Sequence, residues 1–228
     1  MSNEQTSGAS MSEQTSGAST YRQTSGRPAD SLTDEQIRAA LEECGALQKG
    51  HFKLTSGLHS DSYIQCARVQ EHPRLLHELA AEATARLPEG LEVDLVAAPA
   101  VGGILFGFAV AAVLDTTFVF SERGSEGMEF RRSFSVKPGE RVLVCEDVVT
   151  TGGSVRELIQ LIRAAGAEVV GVVSMVDRGK TPDFSCSYFP LIILDTPSWP
   201  PEVCSLCQAG QKITKPGSRE LAKNAVKP

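Results

Sequence analysis

The segment Val142–Ser154 reads VLVCEDVVTTGGS. It starts as an apolar strand and ends in a turn of glycine and hydroxyl-bearing residues, with two adjacent acids, Glu146 and Asp147, in between. An unbroken apolar run of this kind fits a strand buried on both faces of a parallel sheet rather than one exposed on a single side. The residues after it, SVRELIQLIRAAG, carry a helical period, so the whole unit reads strand, turn, helix.

The pattern repeats on either side. VDLVAA reads as a buried strand, GGILFGFAVAAVL as a helix, TTFVF as a strand, AEVVGVVSMV as a strand and FPLIILD as a further one. MEFRRSFS reads as a short extended element. Upstream, TDEQIRAALEECG has a helix-start signal, Thr33 with Gln36 three residues later, and PRLLHELAAEATARL a proline suited to a first turn. Alternating strands and helices predict an α/β fold with a mostly parallel central sheet and helices on both faces.

In such a sheet, ligands bind beyond the carboxyl ends of the strands. Glu146 and Asp147 lie near that end, and Thr150-Thr151-Gly152-Gly153-Ser154 leads into a helix N-terminus. Unpaired amides and the positive end of the helix dipole favour an anion there, glycines let the backbone approach it, and the hydroxyls add donors. The loop is a cradle for a phosphate dianion. The acids do not serve the phosphate, since like charges repel. They suit a neighbouring diol, to which carboxylates are pure acceptors, and a hydrated Mg²⁺. Phosphate, diol and metal together describe a ribose 5-phosphate bearing a pyrophosphate. A Walker loop requires a lysine that does not follow Gly152-Gly153, and the G-x-G-x-x-G dinucleotide fingerprint is absent from this segment. A plain capped strand–turn–helix junction accounts for the glycines but leaves both acids without a purpose.

Strand, paired acids and Thr-Thr-Gly together resemble the donor-binding motif of the type I phosphoribosyltransferases, and more narrowly the chain is similar to the orotate phosphoribosyltransferases over roughly residues 45–219. FKLTSGLHSDSYI is similar to the family's substrate hood, AAPAVGGI to its pyrophosphate loop, FSERGSEGMEFRRSF to its mobile catalytic loop and VDRG to its substrate-carboxylate segment. The resemblance implies a small N-terminal hood on the α/β domain and Mg²⁺-dependent transfer of a ribosyl 5-phosphate to orotate, giving orotidine 5'-phosphate and pyrophosphate in pyrimidine biosynthesis. It implies that Glu146 and Asp147 hold the ribose hydroxyls and organise Mg²⁺ through bound water or ribose. Donor contacts would come from Val148, Val149, Thr150, Thr151, Gly152, Gly153 and Ser154, with Val101, Gly102 and Gly103 at the pyrophosphate. Orotate would meet Thr150, Arg178, Ser56, Gly57 and Tyr63. The rigid guanidinium fork of Arg178 matches a carboxylate; the plainer alternatives are a surface arginine and a tyrosine used for packing.

Some family members carry lysines where Thr55 and Gly102 stand, and lysines and a histidine in the mobile loop. Here that loop offers Arg123, Arg131 and Arg132. Arg123 is the candidate catalytic cation by position, with Arg131, Arg132 and the more distant Lys137 as alternatives. Gly124–Gly127 reads as the hinge of a closing loop. The resemblance further implies a homodimer whose mobile loop reaches the partner's site. A purine-type phosphoribosyltransferase and a non-catalytic sensor of the donor are the competing readings.

With 22 basic against 28 acidic residues the net charge is −6, which argues against broad nucleic-acid or membrane-surface binding. No run is long and apolar enough to span a membrane and no secretory signal is apparent, so a cytoplasmic location is expected. Residues 1–30, with EQTSGAS twice, are expected to be a disordered low-complexity tail, residues 31–217 the phosphoribosyltransferase domain with its hood, and residues 218–228 a C-terminal tail. From about Pro197 the sequence shows no clear periodicity. Of six cysteines, Cys145 reads as a core residue, and Cys204 and Cys207 form a single C-x-x-C. That pair supplies two of the four ligands of a structural zinc, and neither a second pair nor a close histidine pair completes it. Ordinary or redox-sensitive thiols are therefore expected, with zinc as the alternative.

Overall fold

The computed structural model describes residues 31–216 apart from residue 126; both terminal tails lie outside the described residues. The elements run α1 (Asp34–Glu43), β1 (Leu47–Lys53), β2 (His59–Ile64), α2 (Ala67–Gln70), α3 (Pro73–Ala85), β3 (Leu95–Pro99), α4 (Gly103–Leu114), β4 (Thr117–Arg123), β5 (Met128–Phe130), β6 (Arg141–Val149), α5 (Gly153–Ala164), β7 (Glu168–Asp177), β8 (Tyr188–Ile193) and β9 (Ser198–Trp199), followed by a 3₁₀ turn (Pro201–Val203) and α6 (Ser205–Gln208).

The main sheet has six strands in the order β5-β4-β3-β6-β7-β8. Every pairing is parallel except β4 with the edge strand β5. The decisive segment therefore sits at the centre, on β6 between β3 and β7. Its side chains alternate between two cores, as period two requires. Leu143 and Cys145 join Ile37, Leu41, Leu79, Phe106 and Val110 from α1, α3 and α4. Val142 and Val144 join Val155, Leu158 and Ile162 from α5. All of these are at most 1% exposed, so β6 is dry on both sides.

The local signals carry through. Thr33 accepts from the Gln36 amide at 3.2 Å while the Gln36 side chain accepts from the Thr33 amide at 2.8 Å, a capping box of the kind that stabilises a helix start by about 1 kcal/mol. Pro73 occupies the first turn of α3.

A second sheet, β1-β2-β9, forms the hood. β9 is contributed by the C-terminal segment that lacks periodicity in the sequence. It pairs His59 with Trp199 and Ser60 with Ser198, and further on Thr214 bridges Phe52. These elements are too short to show a period, and backbone pairing with the hood organises them. Among the described residues no helix is long and apolar enough to cross a membrane.

Candidate active site

β6 delivers Glu146 and Asp147 to the carboxyl end of the sheet, each only 9% exposed. Neither has a basic partner among the described residues. Glu146 Oε1 accepts from the Asp147 amide at 3.2 Å and Asp147 Oδ1 from the Val148 amide at 2.8 Å. Burial, and next the Asp147 charge, push the Glu146 carboxyl well above its ordinary range; burial also raises Asp147. Two buried acids without a counter-charge are costly in the free protein. They are the donor set that a divalent cation or a diol would satisfy, so the residues fit Mg²⁺.

That cost gives a measurable outcome. An unfolded glutamate ionises near its usual value, whereas the folded Glu146 keeps its proton to higher pH. Stability is therefore lost as pH rises through the window between the two values. Glu146→Gln mimics the protonated form. In magnesium-free buffer it should melt at a higher temperature than the wild type at neutral pH, with the gain vanishing toward pH about 4. A gain that persists in acid would show that ionisation is not its source.

The turn after β6 opens onto a cavity of about 230 Å³ lined by Glu146, residues 148–155, Arg123 and Glu157. Gly152 sits at the α5 N-cap with φ of 75°, in the left-handed region, and a Cβ there would come within 2.6 Å of Phe184. Only glycine holds this turn without strain. α5 has no side-chain cap and no acid in its first turn, so its leading amides remain available to an anion. Thr150, Thr151 and Gly153 are exposed there.

Across β6, the α4 N-terminus brings up the second loop. A Cβ on Gly102 would lie 2.7 Å from Asp147 Oδ1, and one on Gly103 would lie 3.1 Å from Glu146 Oε1. A side chain such as lysine at position 102 has no room here without displacing Asp147. The chain places bare backbone at Val101–Gly103 against the acids, and the Gln70 amide nitrogen donates to the Gly102 carbonyl at 2.8 Å.

The arginines separate by location. Arg123 ends β4, lines the cavity and pairs with Glu157 of α5 at 2.9 Å. Arg131 pairs with Glu129 and Arg132 with Glu122. These pairs bind the hairpin to itself, and neither arginine lines the cavity, nor does Lys137. The segment read as a mobile loop is in this state a β4–β5 hairpin, Arg123 opposite Met128, closed by the Gly124 amide donating to the Gly127 carbonyl at 2.7 Å.

Arg178 follows β7, one strand over, and its amide donates to the Val149 carbonyl at 3.0 Å, which sets it beside Thr150. Its Nε and Nη2 donate to Thr196 Oγ1 at 3.0 and 2.8 Å. Burial lowers its pKa from the ordinary arginine value, and the Tyr63 hydroxyl lies near enough to influence its charge. Tyr63 also packs against Phe52, ring centroids 5.7 Å apart. Ser56 and Gly57 form the turn between β1 and β2, with Gly57 donating to the Leu54 carbonyl; none of the hydrogen bonds described joins them to Arg178 or the turn after β6.

Three contributors carry no sequence signal of their own. Arg156 donates to the Thr151 carbonyl at 2.6 Å and stacks over Phe184. Glu157 holds Arg123, and Thr196 orients Arg178. The last two connections span 34 and 18 residues and exist only once the chain is folded.

A parallel sheet with paired acids and a bare helix N-terminus at its carboxyl edge is the architecture of a phosphorylated-sugar site. Residues 66–203 match the Phosphoribosyl transferase domain family, more than half of the chain, and the chain belongs to that family. Its curated relatives narrow the branch. The orotate phosphoribosyltransferase of Heliobacterium modesticaldum is 45% identical over 190 residues, covering 82% of this chain and all of that one. That of Thermotoga maritima is 47% identical over 186 residues, 81% and 99% of the two chains. Among solved structures, orotate phosphoribosyltransferase from Aeropyrum pernix aligns with a TM-score of 0.59 at 22% identity, covering 69% and 93%. Adenine phosphoribosyltransferase from Rhodothermus marinus aligns with a TM-score of 0.53 at 25%, covering 69% and 99%. The shared fold thus leaves the choice of base to local chemistry.

Proposed function

We propose that this chain is an enzyme that transfers the ribosyl 5-phosphate of phosphoribosyl diphosphate to orotate, releasing pyrophosphate. One observation carries the reading: Arg178, a half-buried cation held by Thr196, stands at the strand end next to the phosphate loop. A neutral purine has no use for a guanidinium there, whereas the orotate carboxylate matches its fork.

Each residue then has a task. The amides at residues 151–154 take the 5-phosphate, and the Glu146 and Asp147 carboxylates accept from the ribose hydroxyls. The backbone at Val101–Gly103 lies along the pyrophosphate. Mg²⁺, held through Glu146 and Asp147, would offset charge on the departing pyrophosphate. As the C1–O bond opens, positive charge grows on the ribose ring beside the two carboxylates, which stabilise it. Arg123 faces the leaving group once freed from Glu157. Thr150 and Arg178 orient orotate, Tyr63 lies flat to its ring, and Ser56 and Gly57 close the hood above it.

A homodimer fits the surface of α4. Leu105 and Phe108, three residues apart on α4, are 44% and 59% exposed, and Val101 in the turn before the helix is 82% exposed. An apolar patch of this kind is suited to a partner surface, and it runs from the pyrophosphate loop.

The test is pyrophosphate release from Mg²⁺, phosphoribosyl diphosphate and either orotate or adenine. Orotate-dependent turnover is expected, and turnover with adenine alone, or donor binding without turnover, would overturn the reading. Arg123→Ala should cut kcat by about a hundredfold with little change in the orotate KM. Wild-type kcat in that variant, with loss in Arg131→Ala or Arg132→Ala, would move the catalytic cation to the hairpin.

A further inference from the structure

The hood gathers a group of side chains, none of which lines the phosphate-loop cavity, that the transfer reaction does not use. His51 lies on β1, at the irregularity in the β1–β2 register, and His59 begins β2. Cys204 joins the 3₁₀ turn to α6, and Cys207 lies on α6 of the C-terminal segment. The antiparallel hairpin brings the two histidines edge to face, ring centroids 5.0 Å apart, and the chain returns 153 residues after His51 to place Cys204 against it. Both histidines and Cys204 are buried; Cys207 is at the surface. This corrects the expectation that no histidine pair completes the C-x-x-C. An eight-residue gap hides the pair in sequence, and the hairpin closes it.

The ligand atoms of all four residues lie within 4.8 Å of one another. His51 Nε2 is 3.1 Å from His59 Nδ1, 3.5 Å from Cys204 Sγ and 3.6 Å from Cys207 Sγ; Cys207 Sγ is 3.2 Å from His59 Nδ1. Zinc bonds of about 2.3 Å to sulfur and about 2.0–2.1 Å to nitrogen at tetrahedral angles put ligands about 3.3 Å apart for two nitrogens and about 3.5 Å apart for nitrogen and sulfur. The observed separations lie close to those edges.

Hydrogen bonding alone does not account for the cluster. His51 Nδ1 is 2.9 Å from the Gln211 carbonyl, an acceptor only, so Nδ1 carries the proton and Nε2 offers a single lone pair. Three potential donors converge on that lone pair, and it accepts one hydrogen. One cation at the centre takes a bond from each of the four atoms. The Nδ1–H to carbonyl contact is also the outer-shell support that fixes the tautomer of a ligating histidine.

We infer that His51, His59, Cys204 and Cys207 form a structural zinc site that fastens the C-terminal segment to the hood. Four protein ligands close the tetrahedron and leave no open position for substrate, which marks a structural rather than a catalytic metal. Two thiolates balance the ion's charge, so partial burial is tolerated. The fastening bears on the active site through the backbone. The same segment supplies Thr196 to Arg178, pairs β9 with β2, and ties Thr214 to Phe52 beside Tyr63.

The experiment is metal analysis of the full-length protein purified without chelator, followed by exchange with Co²⁺. One zinc per chain is expected, and the cobalt form should show the visible bands of a tetrahedral thiolate site. Cys204→Ser and Cys207→Ser should each lose zinc to a colorimetric chelator at least tenfold faster than the wild type. Asp147→Asn should retain its zinc in full, which separates this site from any metal at the donor acids. Wild-type protein with no zinc and no cobalt thiolate spectrum overturns the inference, whether or not the cysteine variants fold. Undiminished zinc in the Cys204→Ser/Cys207→Ser double variant also overturns it. Because the readout is metal content, it stands or falls independently of orotate turnover.

Discussion

Asp147→Asn lowers kcat/KM for phosphoribosyl diphosphate by about a hundred- to a thousandfold, the scale of one preorganised electrostatic contact, while the KM for orotate stays within about threefold of wild type. Asparagine keeps the shape of the aspartate, so the packing against Gly102, where a Cβ would lie 2.7 Å from Oδ1, is undisturbed. What is lost is a buried negative charge with no basic partner. In the free protein that charge is a cost; in the proposed complex it would face the ribose hydroxyls and growing positive charge at the reacting carbon. Its removal should leave the fold intact and strike the donor step. Steady-state kinetics with each substrate varied in turn reads the split. An equal loss for donor and orotate would remove Asp147 from the assigned role.

Arg178→Ala raises the orotate KM by roughly a hundredfold, the effect of losing charge-assisted hydrogen bonds to a carboxylate, and leaves donor affinity near wild type. The guanidinium is half-buried and clamped by Thr196 through Nε and Nη2, with Nη1 unpartnered among the described residues. Arg178→Lys should recover only part of the loss, because an ammonium keeps the charge and loses the fork. Orotate analogues lacking the carboxylate provide the check. They should bind wild type and Arg178→Ala alike, and continued discrimination by the alanine variant would place carboxylate recognition elsewhere.

The two variants strike opposite ends of one arrangement, and they explain how the site assembles. Glu146, Asp147 and the phosphate loop are contiguous on one strand–turn–helix unit, so residue type and spacing expose them in a linear reading. Arg178 ends the neighbouring strand, and the parallel register of Val149 with Asp177 sets it beside Thr150. In the sequence Arg178 stands out only through the resemblance of VDRG to the family's substrate-carboxylate segment; its place beside Thr150 follows from the parallel pairing of the two strands. The hairpin arginines were not separable by sequence. Arg123, Arg131 and Arg132 are alike as residues, and only their partners, Glu157 on α5 or glutamates within the hairpin, divide a cavity cation from surface pairs.

The sequence by itself determined the parallel sheet, the layers and the strand–turn–helix unit that carries Glu146, Asp147 and the glycine turn. Each rests on local physics: hydrophobic period, helix capping, and the freedom of Gly152 at positive φ. Tertiary structure alone decided the contacts across long separations. It set Thr196 on Arg178, Gln70 on the Gly102 carbonyl and Arg156 over the Phe184 ring, and it brought His51 and His59 to Cys204 and Cys207. The physical reason is that a metal tetrahedron or a guanidinium clamp depends on distances of a few ångströms in space. No periodicity along the chain encodes them, because the hairpin and the returning C-terminal segment set those distances only when they pack.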